Sequence, residues 1–212
     1  MIGCPVCRAP ALRAFRLVDG KAYQRCDHCE ATLLHPGHRL EPAAEVAFYR
    51  RHQNDPADPR YRRFLAKLVS PLLARLPAAS RILDYGCGPG PALAAMLREA
   101  GHRVRLYDPF FAADPTVLEG VYDAVTCSEV AEHFHEPAAD FDRLHALLVP
   151  GGYLGLMTCF QTDDARFAGW HYRRDPTHVV FYKEATLRRI AAGRGWTIEI
   201  PVKDVAIMRK AG

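Results

Sequence analysis

The chain has 212 residues, of which 49% are hydrophobic and 25% charged, and its 28 basic and 24 acidic side chains give a formal net charge of +4. This composition is that of an ordinary globular protein and excludes whole-chain disorder, a collagen-like repeat and a coiled coil. No apolar run approaches the about 18 residues of a membrane span, and no apolar signal segment opens the chain, so we expect a cytoplasmic protein without membrane contact. The mild charge predicts no nucleic-acid partner by itself.

The first 40 residues carry two Cys-x-x-Cys pairs with 18 residues between them, and we interpret residues 1–40 as a zinc ribbon. The four cysteines are Cys4, Cys7, Cys26 and Cys29. Two short strands around a turn at Asp19-Gly20 are expected between the pairs. Four thiolates fill the tetrahedral coordination of Zn²⁺, so the predicted ion is structural. Two disulfides and free thiols are the alternatives, and disulfides are disfavoured in the expected compartment.

Residues 41–78 are predicted to form a helical lead-in that covers a cofactor site, with helices near 43–52 and 60–75. From residue 79 to 212 strands and helices alternate, which indicates a doubly wound α/β sheet. Strands are predicted at 81–85, 103–107, 122–127, 152–159, 196–200 and 205–208, and helices at 91–100, 140–148 and 183–194. Pro201 is expected at a reversal between the last two strands, which makes one strand antiparallel.

A glycine-rich loop follows the first of these strands. It runs from Asp84 to Gly90, and its alternate glycines let the backbone approach a ligand closely. Asp108 ends the next strand, where a carboxylate is placed to accept hydrogen bonds from a ribose. Proline at position 91 replaces the third glycine of a dinucleotide fingerprint, and the carboxylate of Asp84 repels phosphate but attracts an ammonium group. The loop therefore favours a cationic amino-acid nucleoside over a diphosphate.

Four segments, taken in order, resemble the successive motifs of class I S-adenosylmethionine-dependent methyltransferases. They are residues 82–90, 106–108, 122–133 and 148–154. The similarity covers about residues 60–210 and is closest to the bacterial group with an N-terminal zinc ribbon. It implies an α/β Rossmann-like sheet of seven strands whose last strand is inserted antiparallel. Only about a dozen residues separate Asp108 from Tyr122, so Asp114–Leu118 is predicted to be a shortened third strand at the sheet edge.

The resemblance also implies which residues bind S-adenosylmethionine. The methionine part would lie against the loop and Asp84, the ribose on Asp108, the adenine between neighbours of Asp108, and the methyl group near the end of the fourth strand. The corresponding residues are Asp84, Gly86, Cys87, Gly88, Gly90, Asp108, Pro109, Phe110, Ser128 and Glu129. Tyr61 and Tyr49 of the lead-in are expected to cover the cofactor. The thiols of Cys87, Cys127 and Cys159 are predicted to be small buried hydrophobic groups without chemistry.

Methyl transfer to a hydroxyl, an amine or a carbon acid needs a base, and two histidines are candidates. His133 lies in a segment that borders the active site in the resembling family, although it can also serve to fix that loop. His178 lies in the long loop 169–182, where Asp175 is predicted to orient it. In the same loop Arg173 and Arg174 are predicted to receive an acidic substrate group. An Asp-Pro turn and a solvated arginine pair are the alternatives.

The sequence thus predicts a methyltransferase that acts on a small-molecule acceptor. One alternative is an RNA methyltransferase that reads RNA with the ribbon, because residues 1–40 contain six basic and three acidic side chains. A second is a module that binds the cofactor without catalysis. A nicotinamide oxidoreductase is disfavoured by Pro91 in the loop.

Overall fold

The computed structural model of the protein describes residues 3–10, 12–51 and 54–212. The strands are β1 (Arg13–Val18), β2 (Lys21–Arg25), β3 (Thr32–Leu34), β4 (Arg81–Tyr85), β5 (Arg103–Tyr107), β6 (Tyr122–Ser128), β7 (Leu148–Met157), β8 (Val180–Phe181), β9 (Thr197–Val202) and β10 (Val205–Arg209). The α-helices are α1 (Pro42–Tyr49), α2 (Pro59–Leu73), α3 (Ala92–Glu99), α4 (Pro137–Ala146) and α5 (Glu184–Ala192). Residue 52, at the end of the first expected helix, lies outside the described residues.

The large sheet has the order β5-β4-β6-β7-β10-β9. Strands β4 to β7 are parallel, whereas β10 runs antiparallel between β7 and β9. The predicted doubly wound sheet with an inserted antiparallel last strand is confirmed. Pro201 lies within β9 and not at the reversal, because an edge strand tolerates a residue that donates no ladder hydrogen bond.

The predicted third strand is wrong. Residues Pro115–Leu118 form a 3-10 turn, and the side chain of Asp114 accepts a hydrogen bond from the Thr116 amide at 3.0 Å. An Asp-Pro pair starts such a turn because the carboxylate caps it and proline presets its φ. Among the described residues the large sheet therefore has six strands instead of seven, and β5 lies at its edge.

Two hydrophobic clusters cover the two faces of this sheet. Successive residues of each strand alternate between the faces, so Ile82 packs in one cluster and Leu83 in the other. Helices α2 and α3 cover the first face. Residues Leu65, Leu68, Val69 and Leu72 of α2 are buried at helical spacing. Buried residues of α4 and α5 belong to the second cluster, which gives the layered α/β architecture.

The small sheet has the order β1-β2-β3-β8 and is antiparallel. Its first two strands form the predicted hairpin, and Asp19 and Gly20 both have positive φ at the turn. Strand β8 comes from the long loop before α5, and Thr32 pairs with Phe181 and Leu33 with Val180. Neither β3 nor β8 was predicted, because three- and two-residue strands leave no periodicity in a sequence. The N-terminal segment is thereby attached to the large domain.

The longest α-helix of the described residues is α2, with 15 residues. No helix in that part of the chain is long and apolar enough to cross a membrane.

Candidate functional site

A cavity of about 800 Å³ opens at the carboxyl ends of β4, β5 and β6. Strand β4 lies between β5 and β6, so the strand order reverses at β4, and α/β sheets bind ligands beyond the carboxyl ends of the strands at such a point. All the residues predicted to bind the cofactor or act as the base line this cavity. They are Tyr61, Asp84, Gly86, Cys87, Gly88, Gly90, Asp108, Pro109, Phe110, Ser128, Glu129, His133 and His178.

Two positions of the loop after β4 require glycine. Gly86 has a φ of +78°, and a Cβ atom there would overlap the side chain of Val130. A Cβ atom on Gly90 would overlap the carbonyl oxygen of Asn54, which belongs to the segment between α1 and α2. Gly86 therefore lets Val130 approach the loop closely, and Gly90 does the same for the lead-in.

Asp108 is buried and holds the loop after β4 against the turn after β5. Its Oδ2 accepts a hydrogen bond from the Gly88 amide at 3.0 Å, and its Oδ1 accepts from the amides of Phe110 and Phe111 at 2.8 and 3.1 Å. Three of the about four acceptor sites of the carboxylate are then used, and Oδ2 can accept one further hydrogen bond. The side chain is thus fixed in place with acceptor capacity left for a ligand hydroxyl.

Asp84 is buried at the base of the loop. The Thr126 hydroxyl donates to its Oδ1 at 2.8 Å. Burial raises the pKa of Asp84 to about 6, and the nearby charge of Asp108 adds to this increase. A buried carboxyl group beside a second carboxylate is suited to a cationic ligand, whose charge would favour its ionised form.

One tyrosine hydroxyl and two carboxyl groups meet at the other end of the cavity. The hydroxyl of Tyr172 donates to Glu132 Oε1 at 2.5 Å and lies 3.2 Å from Glu129 Oε2. Burial, followed by the charge of Glu132, raises the pKa of Glu129 to about 9. Glu129 also has a φ of +52°, a strained conformation that is common at functional sites. Within the described residues, Glu132 Oε2 is buried without a hydrogen-bond partner.

Sequence reasoning missed Glu132 and Tyr172 as members of this group. Glu132 stands beside His133 in a motif that was recognised, but no pattern in the sequence shows that its side chain is fully buried. Tyr172 lies 40 residues further along the chain, and only the tertiary fold brings its hydroxyl to the two carboxyl groups.

The two candidate histidines are adjacent. Their ring centroids are 4.8 Å apart, and each Nδ1 faces a backbone carbonyl oxygen, at 2.8 Å from Tyr172 for His178 and at 3.1 Å from Thr177 for His133. A carbonyl oxygen only accepts, so each Nδ1 carries the hydrogen and each Nε2 is left as an acceptor. Burial lowers the pKa of His178, which keeps this imidazole neutral near pH 7.

The contact that orients His178 was predicted incorrectly. The Tyr172 carbonyl holds its Nδ1, whereas Asp175 Oδ2 lies 3.8 Å from its Nε2. Asp175 Oδ1 instead accepts from the Thr177 amide at 2.9 Å. This is the Asp-Pro turn that the sequence offered as the alternative, and it arises because an Asx side chain caps its own turn.

Arg173 and Arg174 do not line the cavity. Arg173 is only 4% exposed and donates from Nη2 to Asp19 Oδ2 at 2.6 Å, on the side of the small sheet. Arg174 is exposed. The predicted reception of an acidic substrate group by these arginines is therefore wrong, because the short 3-10 turn at His171–Arg174 directs the first of them away from the site.

Aromatic side chains from the lead-in cover the cavity. Tyr49 of α1 and Tyr61 of α2 both line it. The Tyr49 ring lies 5.7 Å from Phe110 and 5.2 Å from His133, measured between centroids. Tyr49 therefore bridges the part of the cavity near Asp108 and the part near the histidines.

The four cysteines of the two pairs form one cluster. Their sulfur atoms lie within 4.8 Å of one another, with Cys4 Sγ 3.7 Å from Cys29 Sγ and Cys7 Sγ 3.6 Å from Cys26 Sγ. A tetrahedral site with Zn–S bonds of about 2.3 Å has S···S edges of about 3.8 Å. The arrangement fits one tetrahedral ion. The other cysteines, Cys87, Cys127 and Cys159, lie outside this cluster.

Comparison with known proteins gives the same family as the site geometry. The methyltransferase domain family matches residues 52–199, which is more than half of the chain. The chain is 32% identical over 166 residues to the ubiquinone biosynthesis O-methyltransferase of Xanthomonas campestris pv. campestris strain B100, and the match covers 63% of this chain and 67% of that protein.

Two solved structures have the same fold. One is the 1,6-didemethyltoxoflavin-N1-methyltransferase of Burkholderia thailandensis, with a TM-score of 0.53, 20% identity and coverage of 94% of this chain and 100% of that chain. The other is the N-methyltransferase NodS of Bradyrhizobium japonicum WM9, with a TM-score of 0.53, 16% identity and coverage of 79% and 99%. The chain belongs to the methyltransferase domain family and is a class I S-adenosylmethionine-dependent methyltransferase.

Proposed function

We propose that the protein methylates a small-molecule acceptor through an O–H or N–H group, with His178 as the base. The observation that carries this proposal is that the glycine-rich loop, Asp108 and the neutral His178 share one cavity, with the loop and Asp108 at one end and His178 at the other. The names of similar proteins support a small acceptor, since one is an enzyme of ubiquinone biosynthesis and another methylates 1,6-didemethyltoxoflavin.

The residues at the loop end are proposed to bind S-adenosylmethionine, which supplies an electrophilic methyl group on a sulfonium. Asp84 would pair with the ammonium group and Asp108 would accept hydrogen bonds from the ribose. The loop of Gly86, Cys87, Gly88 and Gly90 would follow the methionine part, and Pro109 and Phe110 would flank the adenine. Ser128 and Glu129 would lie near the methyl group, while Tyr61 would exclude water.

The groups around the histidines support an acceptor that donates hydrogen bonds. His178 Nε2 is an acceptor, and Glu132 Oε2 is buried without a partner in the described part of the chain. A hydroxyl or ring N–H group would satisfy such atoms, whereas a carboxylate without a hydroxyl group has no hydrogen to donate to them. His178 would take the proton as the methyl group is transferred, and His133 beside it would help to align the acceptor.

The first experiment is calorimetric titration with S-adenosylhomocysteine, followed by transfer of a labelled methyl group to a defined acceptor panel. The panel contains catechols, heterocycles with a ring N–H, aromatic carboxylates without a hydroxyl group, and bulk tRNA. We expect binding of S-adenosylhomocysteine and label in the first two classes. Label in tRNA alone would support the RNA alternative, and binding without transfer to any class would support a non-catalytic module.

Several basic side chains of the N-terminal segment are already paired, which argues against RNA reading. Arg8 pairs with Asp142, Arg13 with Asp27 and Arg25 with Asp164. We propose instead that Cys4, Cys7, Cys26 and Cys29 hold a structural Zn²⁺ in a ribbon of residues 1–40. The lead-in of residues 41–78 would cover the cofactor, and residues 79–212 would form the catalytic domain.

Replacing His178 by alanine should lower turnover at least about 100-fold, as expected for loss of a general base. Affinity for S-adenosylhomocysteine should change less than about threefold, since the proposed cofactor contacts lie at the loop end of the cavity. Because burial lowers the pKa of His178, the imidazole should lose its proton below the ordinary histidine pKa of about 6.5. Wild-type turnover should therefore rise with pH below about 6.5 and be level by about pH 7. His145→Ala, on α4 outside the cavity, is the control. Equal loss of affinity and turnover in His178→Ala would contradict a catalytic role.

Affinity for S-adenosylhomocysteine should fall on acidification because Asp84 must be ionised to pair with the ammonium group. Its pKa in the free protein is about 6, so binding near pH 5 should be about tenfold weaker than near pH 7. Asp84→Asn should bind more weakly near pH 7 and show a much flatter pH dependence. Calorimetry across this range measures both effects. An identical slope in the variant would show that another group is responsible.

A further inference from the structure

We propose that Arg173 is a positioning residue that couples the N-terminal cysteine segment to the acceptor end of the active site. The ribbon is defined here as β1, β2, β3 and the four clustered cysteines, and the acceptor wall as Tyr172, Asp175 and His178. The inference rests on the proposed function, in which His178 of this wall is the base that acts on the acceptor. It assigns the ribbon the task of holding the wall in its catalytic geometry.

Arg173 is a buried cation whose partners lie on the ribbon and on its own loop. Its Nη2 donates to Asp19 Oδ2 at 2.6 Å and to the Ala168 carbonyl at 2.9 Å, and its Nη1 lies 3.4 Å from the Tyr23 hydroxyl. The arginine side chain is 4% exposed. A buried guanidinium needs its partners, because loss of one leaves part of its charge uncompensated.

The residue directly before Arg173 shapes the chemistry of the wall. The Tyr172 carbonyl holds His178 Nδ1 at 2.8 Å, and the Tyr172 hydroxyl contacts Glu132 Oε1 at 2.5 Å. A shift of the backbone at Arg173 therefore moves both the atom that sets the His178 tautomer and the group bonded to Glu132. Small displacements of catalytic groups are enough to cost turnover.

The other side of His178 is also attached to the ribbon. Val179 accepts a hydrogen bond at its carbonyl from the Leu34 amide at 2.9 Å, and its own amide donates to the Glu132 carbonyl at 2.9 Å. Strand β8 then pairs with β3. His178 thus lies between two points of attachment, Arg173 with Asp19 before it and β8 with β3 after it.

A second buried arginine reinforces the same junction. Arg25 of β2 is 3% exposed, and its Nη2 donates to Asp164 Oδ1 at 2.9 Å. Phe167 is buried in the same region, with its ring 4.9 Å from Tyr23 and 5.4 Å from Phe181 between centroids. The loop is consequently packed on the ribbon along its outer side, while its inner side forms the acceptor wall.

Among the described residues, the two carboxyl groups proposed to bind the ammonium group and the ribose take no part in these contacts. Asp84 and Asp108 are bonded to Thr126, Gly88, Phe110 and Phe111, which all belong to the large domain. A change at Arg173 should therefore alter the acceptor wall and leave the contacts of Asp84 and Asp108 intact, so that cofactor affinity is kept.

The test compares Arg173→Met, which keeps an unbranched apolar stem, with Arg174→Met at the exposed neighbouring position. Both are made in a Trp196→Phe background, so that Trp170, whose ring lies 5.3 Å from Tyr172, reports on the wall by fluorescence. The His178 imidazole is followed by NMR, with its signal assigned by comparison with His178→Gln. S-adenosylhomocysteine is the binding probe, and a shared acceptor from the panel measures turnover.

We expect Arg173→Met to increase acrylamide quenching of Trp170 at least about twofold and to shift the His178 titration upward toward that of a solvated histidine. The groups around His178 are Asp175, Glu132 and His133, and they are the same in both variants. Turnover should fall at least about tenfold, while affinity for S-adenosylhomocysteine stays within about twofold. Arg174→Met should match the parent protein in all four measurements.

Asp19→Asn keeps Arg173 in place and removes only the partner charge, so it should show the same changes at smaller size. Asp19→Asn replaces Arg173→Met in these measurements if Arg173→Met does not fold. The proposal is overturned if the folded variant, Arg173→Met or else Asp19→Asn, behaves like Arg174→Met. It is also overturned if cofactor affinity falls as much as turnover. Failure of the parent protein to bind S-adenosylhomocysteine would overturn the proposed function. The Trp170 quenching and the His178 titration would still test whether Arg173 couples the ribbon to the acceptor wall.

Discussion

Replacing Asp108 by alanine is expected to weaken S-adenosylhomocysteine binding by about 100-fold or more. A hydrogen bond from a ribose hydroxyl to a charged acceptor contributes about 1.5–3 kcal/mol, and the upper value corresponds to about 100-fold in affinity. The variant also removes the acceptor for the amides of Gly88, Phe110 and Phe111, so the loop after β4 loses its connection to the turn after β5. Calorimetry gives the affinity directly.

Asp114→Ala is the matched control for this prediction. Asp114 is also an aspartate that caps a turn in the segment after β5, but its side chain is about half exposed and outside the cavity. We expect wild-type affinity in this variant and a circular dichroism spectrum of folded protein in both. Unchanged binding in a folded Asp108→Ala protein would remove the proposed ribose contact and would make the cofactor end of the cavity doubtful as a nucleoside site.

Replacing Cys26 by serine is expected to abolish stable binding of one Zn²⁺ per chain and to lower the melting temperature by about 10 °C. Structural zinc sites contribute about 10–16 kcal/mol of binding energy that stabilises the folded segment, and only part of it has to reach the rest of the chain to give this shift. The effect should extend to the acceptor wall, because β3 of the ribbon pairs with β8. Zinc content after dialysis against a chelator and thermal unfolding measure the two effects.

Cys159→Ser is the matched control, since Cys159 is partly buried and lies outside the cluster. It should keep its zinc and most of its stability. Cys26→Ser should still bind S-adenosylhomocysteine at a temperature where it is folded, as the contacts of Asp84 and Asp108 lie in the large domain. Full zinc content in Cys26→Ser would contradict the four-thiolate site, and loss of cofactor binding at that temperature would contradict the separation of the two ends.

The loop end of the cavity, where we propose that the cofactor binds, was predictable because its signals are local in the sequence. Asp84 and the glycines follow directly after β4, and Asp108 ends the next strand, so their chemistry can be read from short segments. Parallel strands then place their carboxyl ends at one sheet edge, which brings the segments together. For the same reason the two Cys-x-x-Cys pairs predicted the cluster that the structure contains.

The roles assigned within the long loop were less successful. Arg173, Asp175 and His178 all stand in one polar segment whose sequence does not show which side chains face inward. In the structure Arg173 faces the ribbon and His178 faces the cavity. The orienting partner of His178 is a backbone carbonyl, and every residue has one, so no residue type could reveal it.

The α/β class, the position of the glycine-rich loop and the cysteine cluster could be predicted from the sequence, because strand–helix alternation, glycine spacing and thiol spacing are properties of short stretches of chain. The tertiary structure was needed to show that the expected third strand is a 3-10 turn, that Tyr172 joins Glu129 and Glu132, and that the ribbon shares a sheet with the loop carrying His178. These features depend on contacts between distant segments, and the free energy of such contacts comes from burial and pairing that no local pattern encodes.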